Sequence, residues 1–429
     1  MNGPDARQYR PRVTRDLLPT PFIMQYVESM TDVLSDHLGW HRARLKFMAR
    51  FTSALLRLTT TNLWKIALAL KAGVQLESTA EISARRRIQR FLSDYDMDFT
   101  MLARLLVRLL PEQPPYVVCI DRTEWHFGQT PVNVLTVGIA HRGICFPIAW
   151  SVLPAGGSCG AEEQTKVLER FLAAVDPTSI EAVVADREFI ATAWLRRLQS
   201  QQIPFAVRLR SDRRVGLSDE GPALPARMVA RAASLGAEAV LEDRYLFGED
   251  DRKGQTKVKT NGVVRTNVVV RRIASDEATD PFLILATWGV TPDTATTLYR
   301  RRWEIETLFA ALKSRGFKLE KTHLTTPMQK FLHRVERLVG LLALAFAWTH
   351  MVGEKRAFCQ GQPPTKTHGR PERSLFRYGL DWLQSILTTP EPQRKAFFAC
   401  LQGLRSPTSF LSCTNTPCRF APDLHMKKR

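Results

Sequence analysis

The sequence predicts a mixed α/β protein whose strand-built core is interrupted by a β-rich insertion and flanked by helical segments. Three observations carry this expectation. Apolar residues recur at intervals of three and four from about Thr20 to Leu110. Between Tyr116 and Ala185, short runs of β formers are broken by one amphipathic helical stretch. Helical spacing then returns in LYRRRWEIETLFAALKSRG, which begins at Leu298.

The first segment reads as helices through FMARFTSALLRLTTTNLWKIALAL and IQRFLSDYDMDFTMLARLLVRLL. Basic residues interrupt it: Arg42, Arg44, Lys46 and Arg50 line one part, and Arg85, Arg86, Arg87 and Arg90 another. Such residues are common on any solvated face. Clustered in an all-helical unit of a basic protein, they are candidates for phosphate contact by a small DNA-binding domain over 1–110. The prolines of PEQPP close that unit, because a proline-dense stretch cannot continue a helix.

Tyr116 to Ile120 is a strand-like run ending in Asp121, and Val132 to Ala140 and Ile144 to Val152 are β-rich runs joined by the short turn HRG. A loop over Gly156 to Gly160, a helix over Ala161 to Val175 and a strand over Glu181 to Ala185, ending in Asp186, follow. Strand, strand, strand, helix, strand, helix is the order of an RNase H-like fold, which sets the first and fourth strands side by side. A helix around Ala191 to Gln201 and a strand around Phe205 to Leu209 complete a first core part, 111–210.

The interval from Asp186 to Glu306 is far longer than such a core needs. Ala239 to Phe247, Gln255 to Lys259, Val263 to Ile273 and Phe282 to Thr287 read as strands of an inserted subdomain, 211–290. The core resumes over 291–350. It includes the apolar run Leu338 to Trp348, which is shorter than the ~20 residues of a membrane span and reads as a buried helix. The remainder, 351–429, is expected to be helical around Ser374 to Leu387.

At about 100° per residue, a helix gathers Tyr299, Arg302, Glu306 and Lys313 into an arc of roughly 60°. A Glu near Arg and Lys is most often a solvated ion-pair face, and a lone Asp after a strand a turn or cap residue. Asp121, Asp186 and Glu306 together make an acidic triad suited to two divalent metals attacking a phosphodiester. Oxygen donors favour two Mg²⁺ or Mn²⁺ ions. Arg302 and Lys313 then fall where they can clamp phosphates on either side of the scissile bond, and Tyr299 can hydrogen-bond a phosphate. Glu188 reads as pointing away from the site or capping the next helix, outside the triad in either case, and His126 as local scaffolding. Phe282 and Trp288 are ordinary core aromatics or, alternatively, platforms for a displaced base.

The spacing Tyr-x2-Arg-x3-Glu-x6-Lys resembles the signature of the insertion-sequence-four family of bacterial DDE transposases, the cut-and-paste enzymes. CIDRTEWHFG around Asp121 and VVADREFI around Asp186 resemble that family's two aspartate regions, and HGRPERSLFRYGLDWL its tail segment. The similarity runs in patches from about Arg85 to Leu383. It implies that Tyr299, Arg302 and Lys313 hold terminal phosphates and that the N-terminal helices contact the transposon end. It also implies that the insertion lies over the active site and helps distort DNA, and that the C-terminal helices form dimer contacts. The expected partners are therefore double-stranded DNA, as element ends and target, and a second copy of the chain in the synaptic complex. An RNase H-like nuclease or resolvase, or a non-enzymatic DNA-binding descendant of a transposase, are the alternatives.

Composition agrees. The 429 residues carry 61 Lys and Arg against 42 Asp and Glu, a formal charge of +19, with a pI near 10.0. That balance favours a polyanionic partner, nucleic acid before a membrane surface. The N-terminus lacks the apolar core of a signal peptide, and seven scattered cysteines suit reduced thiols, so the expected location is cytoplasmic, without a membrane. Cys413, Cys418 and His425 are too loosely spaced for a zinc clip. The sequence contains neither a Walker nor a dinucleotide fingerprint.

Overall fold

A computed structural model of the chain describes residues 20–71, 78–154, 160–233, 238–248, 262–272, 281–324, 328–367, 369, 371–388 and 394–412. The expected strand at Gln255 to Lys259, most of the Gly156 to Gly160 loop and the residues Cys413, Cys418 and His425 lie outside the described residues.

Five helices come first: α1 (Thr20–Ser35), α2 (Arg42–Leu58), α3 (Leu63–Lys71), α4 (Ser78–Asp94) and α5 (Phe99–Arg108). In α2 the three-and-four spacing buries Leu45, Met48, Thr52, Leu55 and Leu56 and leaves Arg42 and Arg44 exposed. Asp98 starts α5 by accepting from the Met101 N–H at 2.9 Å, which satisfies an amide with no partner inside the helix.

The meander then forms as β1 (Tyr116–Phe127), β2 (Thr130–His141) and β3 (Ile144–Pro154). Arg142 (φ 48°) and Gly143 (φ 88°) both take left-handed conformations, the requirement of a two-residue hairpin turn that follows strand twist. Helix α6 (Ala161–Leu172) crosses back to β4 (Ile180–Ala185), which pairs parallel with β1. Helix α7 (Thr192–Ser200) leads to β5 (Phe205–Arg208), parallel to β4.

The later strands are β6 (Arg214–Gly216), β7 (Ala223–Pro225), β8 (Glu238–Phe247), β9 (Val263–Arg272) and β10 (Phe282–Trp288), with α8 (Ala226–Ala233) between β7 and β8. They do not make a separate layer. β10 pairs antiparallel with β5, so one ten-stranded sheet runs β3-β2-β1-β4-β5-β10-β9-β8-β6-β7. β6 and β7 went unforeseen because three-residue strands carry no readable alternation.

From β10 the chain returns through α9 (Pro292–Arg300) and α10 (Trp303–Leu312), then α11 (Met328–Gln360), α12 (Leu375–Thr388), α13 (Arg394–Arg405) and α14 (Pro407–Ser412). The fold is an RNase H-like α/β core with flanking helices. The apolar run at Leu338 to Trp348 is the middle of α11, a 33-residue helix. Among the described residues, α11 is the one helix long and apolar enough to cross a membrane, and 89% of its most apolar window is buried inside the protein.

Helices α11 and α12 touch through glycines. A Cβ at Gly353 would lie 1.9 Å from the Leu375 carbonyl oxygen, and one at Gly379 would lie 2.0 Å from that of Thr349. Only hydrogen fits either place. Helices α2, α4 and α5 pack on α11, and α2 also on α12, so the helices before Pro111 share one apolar core with those at the other end of the chain. Cys119, Cys145 and Cys400 are free and buried. Cys359 is in a disulfide, contrary to the expectation of uniformly reduced thiols.

Candidate active site

Strand register brings the two aspartates together. The parallel ladder of β1 and β4 ends at Ile120 opposite Ala185, so Asp121 is the next residue of β1 and Asp186 the first residue past β4, where the two chain segments part. Asp121 is not at the end of its strand, as the apolar run suggested: β1 continues to Phe127, paired with β2, and Asp121 lies opposite Thr136. The second half, Arg122 to His126, is mostly polar and faces a partner strand on one side only, so its apolar signal is weak.

The stripe expected on one helix is divided between two. Tyr299 belongs to α9, Arg302 precedes α10, Glu306 lies in its first turn and Lys313 caps its end. At the junction the amides of Arg301, Arg302 and Glu304 each bond the carbonyl three residues back, at 3.0 Å, which tightens the turn without reversing the chain. The helix ends at Leu312, and Gly316 beyond it provides room, since a Cβ there would stand 2.3 Å from the Ala311 carbonyl oxygen and 2.7 Å from the Phe376 ring.

Helix α10 lies across β1, β2 and β3. The Arg302 guanidinium donates to Asp121 Oδ2 at 3.2 Å and to Glu306 Oε1 at 2.9 Å, so one cation joins the strand carboxylate to the helix carboxylate. The Tyr299 hydroxyl reaches Asp186 Oδ1 at 3.5 Å, the outer limit of a hydrogen bond. Lys313 stands apart from the carboxylates: its Nζ donates to Thr123 Oγ1 at 3.2 Å and the Glu124 carbonyl at 3.0 Å, and lies 4.8 Å over the Trp125 ring.

Burial pushes the Asp121 carboxyl up to about 7, with Glu188 and Asp186 adding to the rise against the Arg122 amide and Arg302. The Tyr299 hydroxyl is also raised, by burial and then by Asp186. Glu188 is raised by burial despite its ion pair with Arg122 at 3.1 Å. A helix-capping role outside the triad leaves out this effect, since the Glu188 charge is felt at Asp121; its place in the turn directly after β4 was the available signal. His126 pairs with Glu124 at 3.3 Å, and its backbone N–H donates to Glu320 at 3.0 Å.

Phe282 is buried in the core, and Trp288 is half-buried against it. Arg86, Arg87 and Arg90 are exposed on α4. Arg85 stacks at 4.0 Å on Trp64, a half-exposed ring that no sequence motif singles out. Arg87 and Arg90 face Arg44, Lys46 and Arg50 of α2 across a groove of about 630 Å³, which Phe47 and Phe91 also line.

An RNase H-like sheet with carboxylates gathered where its central parallel strands part belongs to the class of metal-dependent nucleic-acid enzymes. Residues 112–345, more than half of the chain, match the family model of the transposase DDE domain, and the chain belongs to that family. It is a transposase of the DDE type, with metal-dependent DNA cleavage as its chemistry. No curated protein matches it. The donor set fits a hard divalent ion: all three candidate ligands are carboxylates, and two already converge on one cation, Arg302.

Proposed function

We propose that the chain is a cut-and-paste transposase of the insertion-sequence-four type, with Asp121, Asp186 and Glu306 as the ligands of two Mg²⁺ or Mn²⁺ ions. The observation that carries the reading is the Asp121–Arg302–Glu306 bridge beside Asp186, which gathers three carboxylates from three distant parts of the chain. When bound, the ions supply an activated nucleophile, water and then a 3′ hydroxyl, and stabilise the leaving oxygen. Arg302 exchanges its carboxylate partners for phosphate oxygens, gripping them with its bidentate fork. Tyr299 donates its hydroxyl to the same end, and Lys313 holds a phosphate further along β1 as a point charge. The groove between α2 and α4 takes the flanking duplex through its phosphates, and two chains hold two element ends in the synaptic complex.

The test is incubation of the full-length protein with Mg²⁺ and DNA carrying candidate element ends, followed by mapping of nicked, double-cut, hairpin and joined products. A joined product supports the transposition reading. Hydrolytic fragments alone, with every end tried, assign the site to a nuclease instead.

A further inference from the structure

A second set of ligand-type side chains is buried far from the acidic site. His141 is the last residue of β2, while His350 and Glu354 stand one turn apart on α11. Their side chains are 3%, 2% and 6% exposed. His141 Nε2 lies 2.5 Å, and His350 Nε2 3.2 Å, from the same oxygen, Glu354 Oε1. The three donor atoms fall within 4.8 Å of one another. Asp121 pairs with Thr136, and His141 follows five residues further along β2, roughly 17 Å away at the rise of a strand, so this is a separate place in the fold.

Two imidazole nitrogens, His141 Nε2 and His350 Nε2, converge on a single carboxylate oxygen, which is one imidazole more than an ion pair needs. The Nδ1 of His141 is bonded to Glu112, in the segment before β1. A carboxylate on one ring nitrogen is the arrangement that fixes the tautomer and orients the other nitrogen toward a metal. Donors at 2.0–2.2 Å around a tetrahedral ion stand roughly 3.3 Å apart, so modest rotation of Glu354 opens the space.

We propose that His141, His350 and Glu354 bind one transition-metal dication of the Zn²⁺ class, with a water as its fourth ligand and Glu112 orienting His141. Two imidazole nitrogens and a carboxylate select such an ion over Mg²⁺, which distinguishes this site chemically from the acidic one. Its effect is structural: it staples α11, the helix on which α2, α4, α5 and α12 pack, to the end of a core strand.

The experiment uses full-length Asp121→Asn protein, so that the acidic site is weakened, stripped with chelator and titrated with Co²⁺. One Co²⁺ per chain should bind with the strong visible absorption of tetrahedral coordination. Zn²⁺ should displace it, equimolar Mg²⁺ should not, and the melting temperature should rise with the metal. Adding His350→Gln should weaken binding at least about 100-fold, while His333→Gln, outside the cluster, should leave it unchanged. A parent protein that gives no tetrahedral absorption overturns the proposal whatever the folding of the variants, and so does absorption that survives His350→Gln.

Discussion

Arg302 is held against Asp121 at 3.2 Å from the residue just before α10, and its other nitrogen reaches Glu306 at 2.9 Å. A fixed cation therefore stands between two carboxyl groups that repel each other once Asp121 ionises, above about pH 7. With the guanidinium 8% exposed and Asp121 15% exposed, water does little to screen that repulsion. At pH 8, where Asp121 is ionised, Arg302→Ala should destabilise the metal-free protein by about 2 kcal/mol, less than for a fully buried pair because Glu306 is partly exposed. Mg²⁺ should restore most of the loss. Urea unfolding with and without Mg²⁺ checks this, and unchanged metal-free stability would mean that the bridge holds nothing.

The same variant separates the steps of the reaction. Arg302→Ala and Lys313→Ala should keep some first-strand nicking but lose second-strand processing and joining, which need the cut end gripped by its phosphates. A time course resolving each product reads the difference. Variants that follow the wild type at every stage would remove these two residues from the reaction.

Asp121→Asn, Asp186→Asn and Glu306→Gln should each reduce cleavage by about 10³-fold or more, the effect of losing several kcal/mol of transition-state stabilisation. Binding of end DNA should persist. Gel-shift and cleavage assays on one preparation decide it, and near-normal cutting by any of the three excludes that residue.

The raised Asp121 carboxyl links stability to pH. In the folded metal-free protein it keeps its proton up to about 7, whereas in the unfolded chain it loses it near the ordinary carboxylate value. Between these limits the folded state binds more protons, so this contribution is complete at acid pH and is lost as pH rises through about 7. Melting curves in chelator from pH 4 to 8 should show wild type losing stability relative to Asp121→Asn. Mg²⁺ should flatten the difference by favouring the carboxylate. Parallel curves in chelator would contradict the assignment.

Arg87→Glu with Arg90→Glu should weaken DNA binding across sequences and lower the slope of log affinity against log salt by roughly 2, about 0.9 for each phosphate no longer neutralised. Binding isotherms at several salt concentrations measure it, with the whole chain, because α2, α4 and α5 bury their apolar faces on α11. An unchanged slope would place the DNA elsewhere.

Gly379→Val should cost about 3 kcal/mol, since the new side chain meets the Thr349 carbonyl and forces α12 from α11. A urea midpoint equal to wild type would show that the crossing relaxes freely.

The core elements were legible because their signals are local. The meander, α6, β4 and β8 to β10 announced themselves through alternation and turn residues, and the four-residue spacing singled out Tyr299, Arg302, Glu306 and Lys313. The influence of Glu188 on Asp121 was hidden because it acts through space, and β6 and β7 were hidden because they are too short to show a period. That α9 and α10 are two helices was equally concealed, since a tightened turn leaves side-chain spacing nearly unchanged.

By itself, the sequence supplied the candidates for the chemistry, since acid, base and aromatic side chains keep their character in any fold, and marked the longer strands and helices, since periodicity is a property of neighbours. Only the tertiary structure decided that Arg302 directs its charge at Asp121 and Glu306, that Lys313 faces β1, that the insertion's strands extend the core sheet, and that His141 meets His350 and Glu354. Each depends on register and packing between residues far apart along the chain. The energy of such interactions comes from burial and charge in a shared low-dielectric interior, and that interior exists only once the chain has folded.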